Sequence, residues 1–154
     1  MSVKKINVAI AGATGYVGLD LIKLISNHPK VEIKYLCAQK KIGKNIQFFD
    51  KRIKKKLPTI SSLKKVNWKN VDILFTALPN GETQILAKSL ATKELNIIDL
   101  SADFRLANAS TYKKFYKKKH MAKDLIKKSI YALSEFVKIK IRNYKIIACP
   151  GCYP

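Results

Sequence analysis

Acid is scarce in this 154-residue chain: ten Asp and Glu stand against 31 Lys and Arg, a formal net charge of +21. Arginine is scarcer still, with Arg52, Arg105 and Arg142 the only three beside 28 lysines. Readers of bases and phosphates favour the planar arginine fork, so this balance argues against a specific nucleic-acid partner. The two densest lysine runs, residues 40 to 56 and 113 to 128, read as solvated faces and loops. A salt-sensitive attraction to anions accompanies the charge in any case. Histidine is limited to His28 and His120, and cysteine to Cys37, Cys149 and Cys152. Three cysteines are too few and too odd in number for a secreted disulfide framework, and no second C-x-x-C or H-x-x-H stands by to complete a four-ligand zinc site, so reduced thiols, no metal and a cytoplasmic setting are expected. No run of about 18 apolar residues exists to span a bilayer, and no membrane partner is expected.

What is present is enough apolar content, 47% of residues, for the core of one domain. β-rich apolar runs alternate with helical spacing. Ile6, Val8 and Ile10 mark a buried strand, and "VEIKYLCA", "VDILFTAL", "LNIIDLSA", "SIYAL" and "YKIIAC" mark later ones. From Val17 the spacing Leu21, Leu24, Ile25 predicts a helix ending at Asn27-His28-Pro29, and "GETQILAKSLA" predicts a second. This alternation is the pattern of an α/β fold, a Rossmann-like doubly wound and mostly parallel sheet, as a single domain over residues 1 to 154.

Between the first strand and first helix lies "AGATGYVG", with Gly12, Gly15 and Gly18 three apart. Glycines at such a turn let the backbone bend tightly, approach a pyrophosphate and pack helix on strand, while the helix N-terminus offers N–H groups. The stretch departs from G-x-G-x-x-G in holding Ala13 at the first position of that spacing. Gly12, Ala13, Thr14, Gly15, Tyr16, Val17 and Gly18 are therefore candidate dinucleotide contacts. An NAD site wants a carboxylate at the end of the second strand. Here Gln39, Lys40 and Lys41 stand instead, which favours the extra phosphate of NADP.

Two further stretches carry chemistry. "NIIDLSADFRL" ends a strand in polar groups, where doubly wound sheets bind ligands. Ser101 lies there, and Arg105 offers a fixed charge to a carboxylate or phosphate of a substrate, or else joins Asp103 in a network that supports the loop. "YKIIACPGCYP" sets Cys149 and Cys152 on either side of Pro-Gly. By itself this C-x-x-C reads as a redox dithiol, half of a zinc site, or one nucleophile with an incidental neighbour.

Together "AGATGYVG", "ALPNGET" (77 to 83), "IIDLSADFRL" (97 to 106), "YALSE" (131 to 135) and "PGCYP" (150 to 154) resemble the N-acetyl-gamma-glutamyl-phosphate reductases, in the family's order. The resemblance implies the N-terminal, NADP-binding part of a two-domain semialdehyde-dehydrogenase-like enzyme. Such an enzyme uses NADPH to reduce a small-molecule acyl phosphate to an aldehyde in arginine biosynthesis, releases phosphate, and works as a homo-oligomer. By motif match Cys152 takes the nucleophile position, Leu78 and Pro79 join the cofactor site, Ser101 and Arg105 the substrate site, and the general acid/base histidine lies in the second domain. The sequence departs from the family at Asn80, where His is usual, at Ala132-Leu133-Ser134, and at Cys149, where Asn is usual. That last departure makes the C-x-x-C, and it leaves Cys152 as the one thiol the chemistry needs. A strand delivering Cys152 to the start of a further helix would favour its thiolate. The same motifs fit the N-acetyl-aminoadipyl-phosphate reductases of lysine biosynthesis, one substrate methylene longer. A basic nucleotide- or nucleic-acid-binding module without catalysis is the reading from another class.

Overall fold

Four residues in a row, Val8 to Ala11, are completely buried, which is how a strand covered on both faces behaves. They belong to strand β1 (Ile6–Ala11) of the computed structural model, which describes residues 4–137 and 141–152. The chain divides into two compact units, residues 1–77 and 78–154.

In the first unit β1 leads through helix α1 (Tyr16–Ile25) to β2 (Val31–Cys37), and then come β3 (Ile60–Ser61) and β4 (Ile73–Thr76). The strands lie in the order β3-β2-β1-β4 and every pairing is parallel. Val8, Ile10, Ile22, Ile33, Leu36, Ile46, Ile53 and Ile60 form one core with Ala13. Truncating Ile22 to Ala would cost about 2–5 kcal/mol by the usual transfer and cavity terms.

The helix differs from its predicted stripe. Gly18 and Ile22 are its buried residues, while Leu24 is 77% exposed. The reason is close docking at Gly18, where a Cβ would sit 2.2 Å from the Gly12 carbonyl oxygen. That contact points the 18–22 line inward, and Leu24, roughly 200° around the helix from Ile22, turns to solvent.

The lysine run over residues 40 to 56 is more than a solvated loop. Its Ile46 and Ile53 are core residues, and Asp50 accepts from Arg52 Nε at 2.9 Å and Nη2 at 2.7 Å. The hydrogen bonds from Arg52 hold the Asp50 carboxyl at about 2. Lys55 Nζ donates to the Ser26 carbonyl at 2.6 Å and so closes the segment over the end of α1.

The second unit holds α2 (Glu82–Ser89), β5 (Asn96–Asp99), α3 (Ala109–Tyr116), α4 (Lys123–Ile126), β6 (Ser129–Tyr131) and β7 (Ile146–Ala148). Its strands run in the order β5-β7-β6, again parallel. The second lysine run also contains structure that its charge conceals. It carries the end of α3, all of α4, and buried His120, Ala122, Leu125 and Ile126. Lys145 ties down the turn that follows α2, donating to the carbonyls of Ala91 (2.8 Å) and Lys93 (2.6 Å), and burial pushes its pKa down. No helix among the described residues is long and apolar enough to cross a membrane.

Candidate active site

The glycine loop of the first unit is tied to the end of β2: the N–H groups of Gly12 and Ala13 both donate to the Cys37 carbonyl at 3.0 Å. Gln39 and Lys40, both exposed, follow two and three residues later, so the predicted cofactor residues of this unit gather at one strand edge. Gly12 has φ +86, and a Cβ there would lie 2.2 Å from the Ala77 carbonyl oxygen. Gly12 and Gly18 are thus required by the fold itself. Gly15 is not, because a Cβ on it would meet nothing closer than Gly12 O at 3.5 Å, an ordinary contact, at φ −80.

Gly15 is the N-cap of α1, no side chain caps that end, and its first turn contains no acid. The cradle therefore fits a dinucleotide pyrophosphate: a glycine the fold does not need stands at a helix N-terminus with no anionic competitor. Tyr16 and Val17 are exposed beside it, Thr14 is half-buried, and Ala13 is fully buried in the core. The Ala13 side chain is thus a packing element of the core. Cys37, the third thiol, is buried, and that burial pushes its pKa up.

In the second unit the loops after β5 and β7 meet. Arg105 Nε donates to the Cys149 carbonyl at 2.8 Å, and Nη2 donates to the Leu100 carbonyl at 3.1 Å. These bonds place Arg105 in a network with the Cys149 and Leu100 carbonyls, not with the expected Asp103. Ser101 is also engaged internally, with its Oγ 3.2 Å from Thr83 Oγ1 and accepting from the Asp103 N–H at 3.3 Å. Leu78 and Pro79 lead into α2, whose first N–H groups are taken by Asp103. Its carboxylate accepts from Gly81 N at 2.8 Å and from Gln84 N at 3.1 Å. This use of Asp103 leaves the α2 N-terminus engaged with a carboxylate of its own unit.

The two thiols of the C-x-x-C differ in kind. Cys149 is half-buried, and burial followed by the nearby Asp99 carboxylate pushes its pKa up, with Arg105 opposing. Cys152 is exposed. The half-buried thiol is held protonated and the exposed one is accessible, which suits a single nucleophile better than a matched pair. The further helix expected after Cys152 lies outside the described residues.

Sequence reasoning missed the scaffold beneath this loop. His120 is buried, with Nε2 2.9 Å from the Asp103 carbonyl and Nδ1 accepting from the Ala122 N–H at 3.2 Å. Gln84 Nε2 donates to Tyr112 Oη at 3.1 Å, and Gln84 Oε1 accepts from the Met121 N–H. Asn108 was a legible signal for α3, since its side chain accepts from Thr111 N as an N-cap. Among the described residues no three His, Cys, Asp or Glu side chains converge as a metal-ligating group.

Comparison with known proteins shows the family and the fold. The chain is 40% identical over 151 residues to the N-acetyl-gamma-glutamyl-phosphate reductase of Ehrlichia ruminantium (strain Gardel), covering 97% of this chain and 43% of that protein. It is 39% identical over 152 residues to the probable chloroplastic N-acetyl-gamma-glutamyl-phosphate reductase of Oryza sativa subsp. japonica, covering 98% and 36%. The chain thus spans less than half the length of these relatives. Among solved structures, aspartate semialdehyde dehydrogenase II of Vibrio cholerae superposes with a TM-score of 0.68 at 23% identity, over 97% of this chain and 43% of that one, and shows the same fold. Aspartate semialdehyde dehydrogenase with NADP from Candida albicans matches with a TM-score of 0.54 at 25% identity, over 70% and 32%. The semialdehyde dehydrogenase NAD-binding domain family matches residues 7–144, and the chain belongs to that family.

Proposed function

We propose that this chain is the cofactor-binding and nucleophile-bearing part of an NADPH-dependent N-acetyl-gamma-glutamyl-phosphate reductase, an oxidoreductase of arginine biosynthesis. The single observation that carries the reading is the exposed Cys152 set beyond β7 in a family whose relatives at about 40% identity bear that name. Those names favour the glutamyl over the aminoadipyl substrate.

The Cys152 thiolate attacks the acyl carbon, the carbon–oxygen bond to phosphate breaks, and phosphate leaves with the bonding electrons. The product is a thioester on Cys152. NADPH, when bound, supplies the hydride that reduces this thioester to the aldehyde. Cys152 departs as a thiolate, ready for another acyl phosphate. Gly15 and the α1 N-terminus hold the pyrophosphate, Gln39 and Lys40 face the extra phosphate, and Leu78 and Pro79 border the cofactor. Arg105 and Ser101 supply charge and hydrogen bonds on the substrate side.

The proton carrier is assigned to neither histidine of the chain, since neither stands in a motif of that role. Both ring nitrogens of His120 are engaged in the scaffold, and His28 accepts from the Lys30 N–H at the end of α1. The three free thiols suit a reducing compartment such as the cytoplasm, and the working enzyme is a homo-oligomer.

The test is phosphate release from N-acetylglutamyl phosphate mixed with the chain. A burst of about one phosphate per chain is expected, because acylation precedes hydride transfer. A burst that survives in Cys152→Ser, or no burst in the wild-type chain, contradicts the reading.

A further inference from the structure

No helix or strand carries Cys152: β7 ends at Ala148, and Cys149 to Cys152 form an irregular segment beyond it. A nucleophile on such a segment needs something else to fix its place. The Cys149 N–H donates to the Asp99 carbonyl at 2.8 Å, which continues the β5–β7 ladder by one step. Past that point the described support comes from one side chain. Arg105 Nε bonds the Cys149 carbonyl and Nη2 bonds the Leu100 carbonyl, so one guanidinium joins the backbones leaving β5 and β7.

Gly151 is fitted to the same group. A Cβ built on it would meet Arg105 Nη1 at 2.9 Å, Cζ at 3.6 Å and Nη2 at 3.9 Å. Gly151 has no positive φ to account for its being glycine. A methyl there would have to displace Nη1, the far end of the Arg105 side chain, which its bonds to Cys149 and Leu100 hold in place. The residue immediately before Cys152 therefore rests on the residue that anchors Cys149.

We propose that Arg105 is the positioning residue of Cys152: it locks the Cys149 carbonyl, packs under Gly151, and so presents the thiol in one place. The inference rests on Cys152 being the nucleophile. It departs from a purely substrate-binding Arg105, because it makes Gly151 a partner in the same role and gives the arginine work to do before any substrate arrives. Lysine is no replacement, since one ammonium lacks the planar fork that reaches two carbonyls while a third nitrogen rests against Gly151.

The experiment compares two reactions of the thiol in the full chain and in R105A, G151A and R105A/G151A. One is acylation by N-acetylglutamyl phosphate, which needs an oriented sulfur. The other is alkylation by iodoacetamide, which needs only an accessible one. Misplacing a reacting atom by about 1 Å costs on the order of 100-fold. R105A is expected to slow acylation by about that factor and G151A by less, about tenfold, since the end of the arginine can yield to a methyl, while alkylation stays within about threefold. The double variant should acylate no more slowly than R105A, since removing the guanidinium frees the space that the methyl added by G151A needs.

Wild-type acylation in G151A, which keeps the arginine charge, overturns the proposal and leaves Arg105 a substrate contact only. Parallel loss of alkylation, or loss of cooperative melting in R105A, makes Arg105 a residue of the fold and overturns it as well. Failure of the underlying reading shows separately, as acylation that persists in C152S.

Discussion

The phenolic O–H of Tyr112 donates to Asp103 Oδ1 at 2.7 Å, and both residues are buried in the second unit. Through this bond α3 holds the carboxylate that in turn holds the first N–H groups of α2. Burial, then the Asp103 hydrogen bond and charge, push the Tyr112 pKa far above its ordinary value, so the hydroxyl stays a donor at any working pH. Tyr112→Phe removes one donor from Asp103 and leaves the Gln84 Nε2–H without this acceptor. The expected destabilisation is about 1–3 kcal/mol by urea denaturation. An unchanged midpoint would mean that the network is dispensable.

The three glycines of the loop should separate by what limits them. Gly18→Ala and Gly12→Ala force a methyl into a backbone oxygen and should lower the melting temperature steeply. Gly15→Ala should melt within a few degrees of the parent and bind NADPH at least about tenfold more weakly, because only the cofactor needs that space. Nicotinamide fluorescence titration alongside thermal melts checks both. Equal binding by Gly15→Ala would remove the cradle from this loop.

Cofactor choice should follow the cations at the end of β2. No carboxylate stands among Gln39, Lys40 and Lys41 to meet an NAD ribose, and both lysines are exposed. Replacing Lys40 and Lys41 together by Glu is expected to weaken NADPH by about tenfold or more while leaving NADH little changed. Titrations in about 0.15 M salt keep nonspecific attraction to the basic surface from masking the effect. Equal weakening of both cofactors would place the extra phosphate elsewhere.

His120 sets a pH dependence with a definite sign. Its Nδ1 accepts from Ala122 and its Nε2 faces a carbonyl, so the ring fits its site as the neutral Nε2–H tautomer. Burial pushes its pKa below the ordinary 6.5, with the Asp103 carbonyl acting the other way. As pH falls through about 6.5 the unfolded chain takes up the proton first, so the contribution to stability is complete above that pH and declines below it. Denaturation midpoints from pH 8 to pH 5 should fall in the parent and fall less in His120→Gln. Identical slopes would refute the assignment.

Much of this was legible because it is local. The strand-glycine-helix start, the parallel strands and the C-x-x-C loop each announce themselves by spacing or residue type. What was hidden depends on partners far along the chain. Leu24 fits a helical stripe, and only the docking of Gly18 on Gly12 turns it outward. β3 spans two residues, too few for any periodicity. α3 has Tyr112 as its one buried residue, so its lysines masked it, although Asn108 marked its start. Arg105 could be read as substrate ligand or scaffold. Its bonds to Cys149 and Leu100 join residues 44 and 5 positions away, a pairing that no spacing rule reveals.

The most direct measurement of the central claim is which sulfur becomes acylated. After brief exposure to N-acetylglutamyl phosphate near neutral pH, the quenched chain is digested and its peptides are mapped by mass. The account predicts a single thioester on Cys152, with Cys37 and Cys149 unmodified. Acylation of Cys149 in place of Cys152, or of neither, would contradict it.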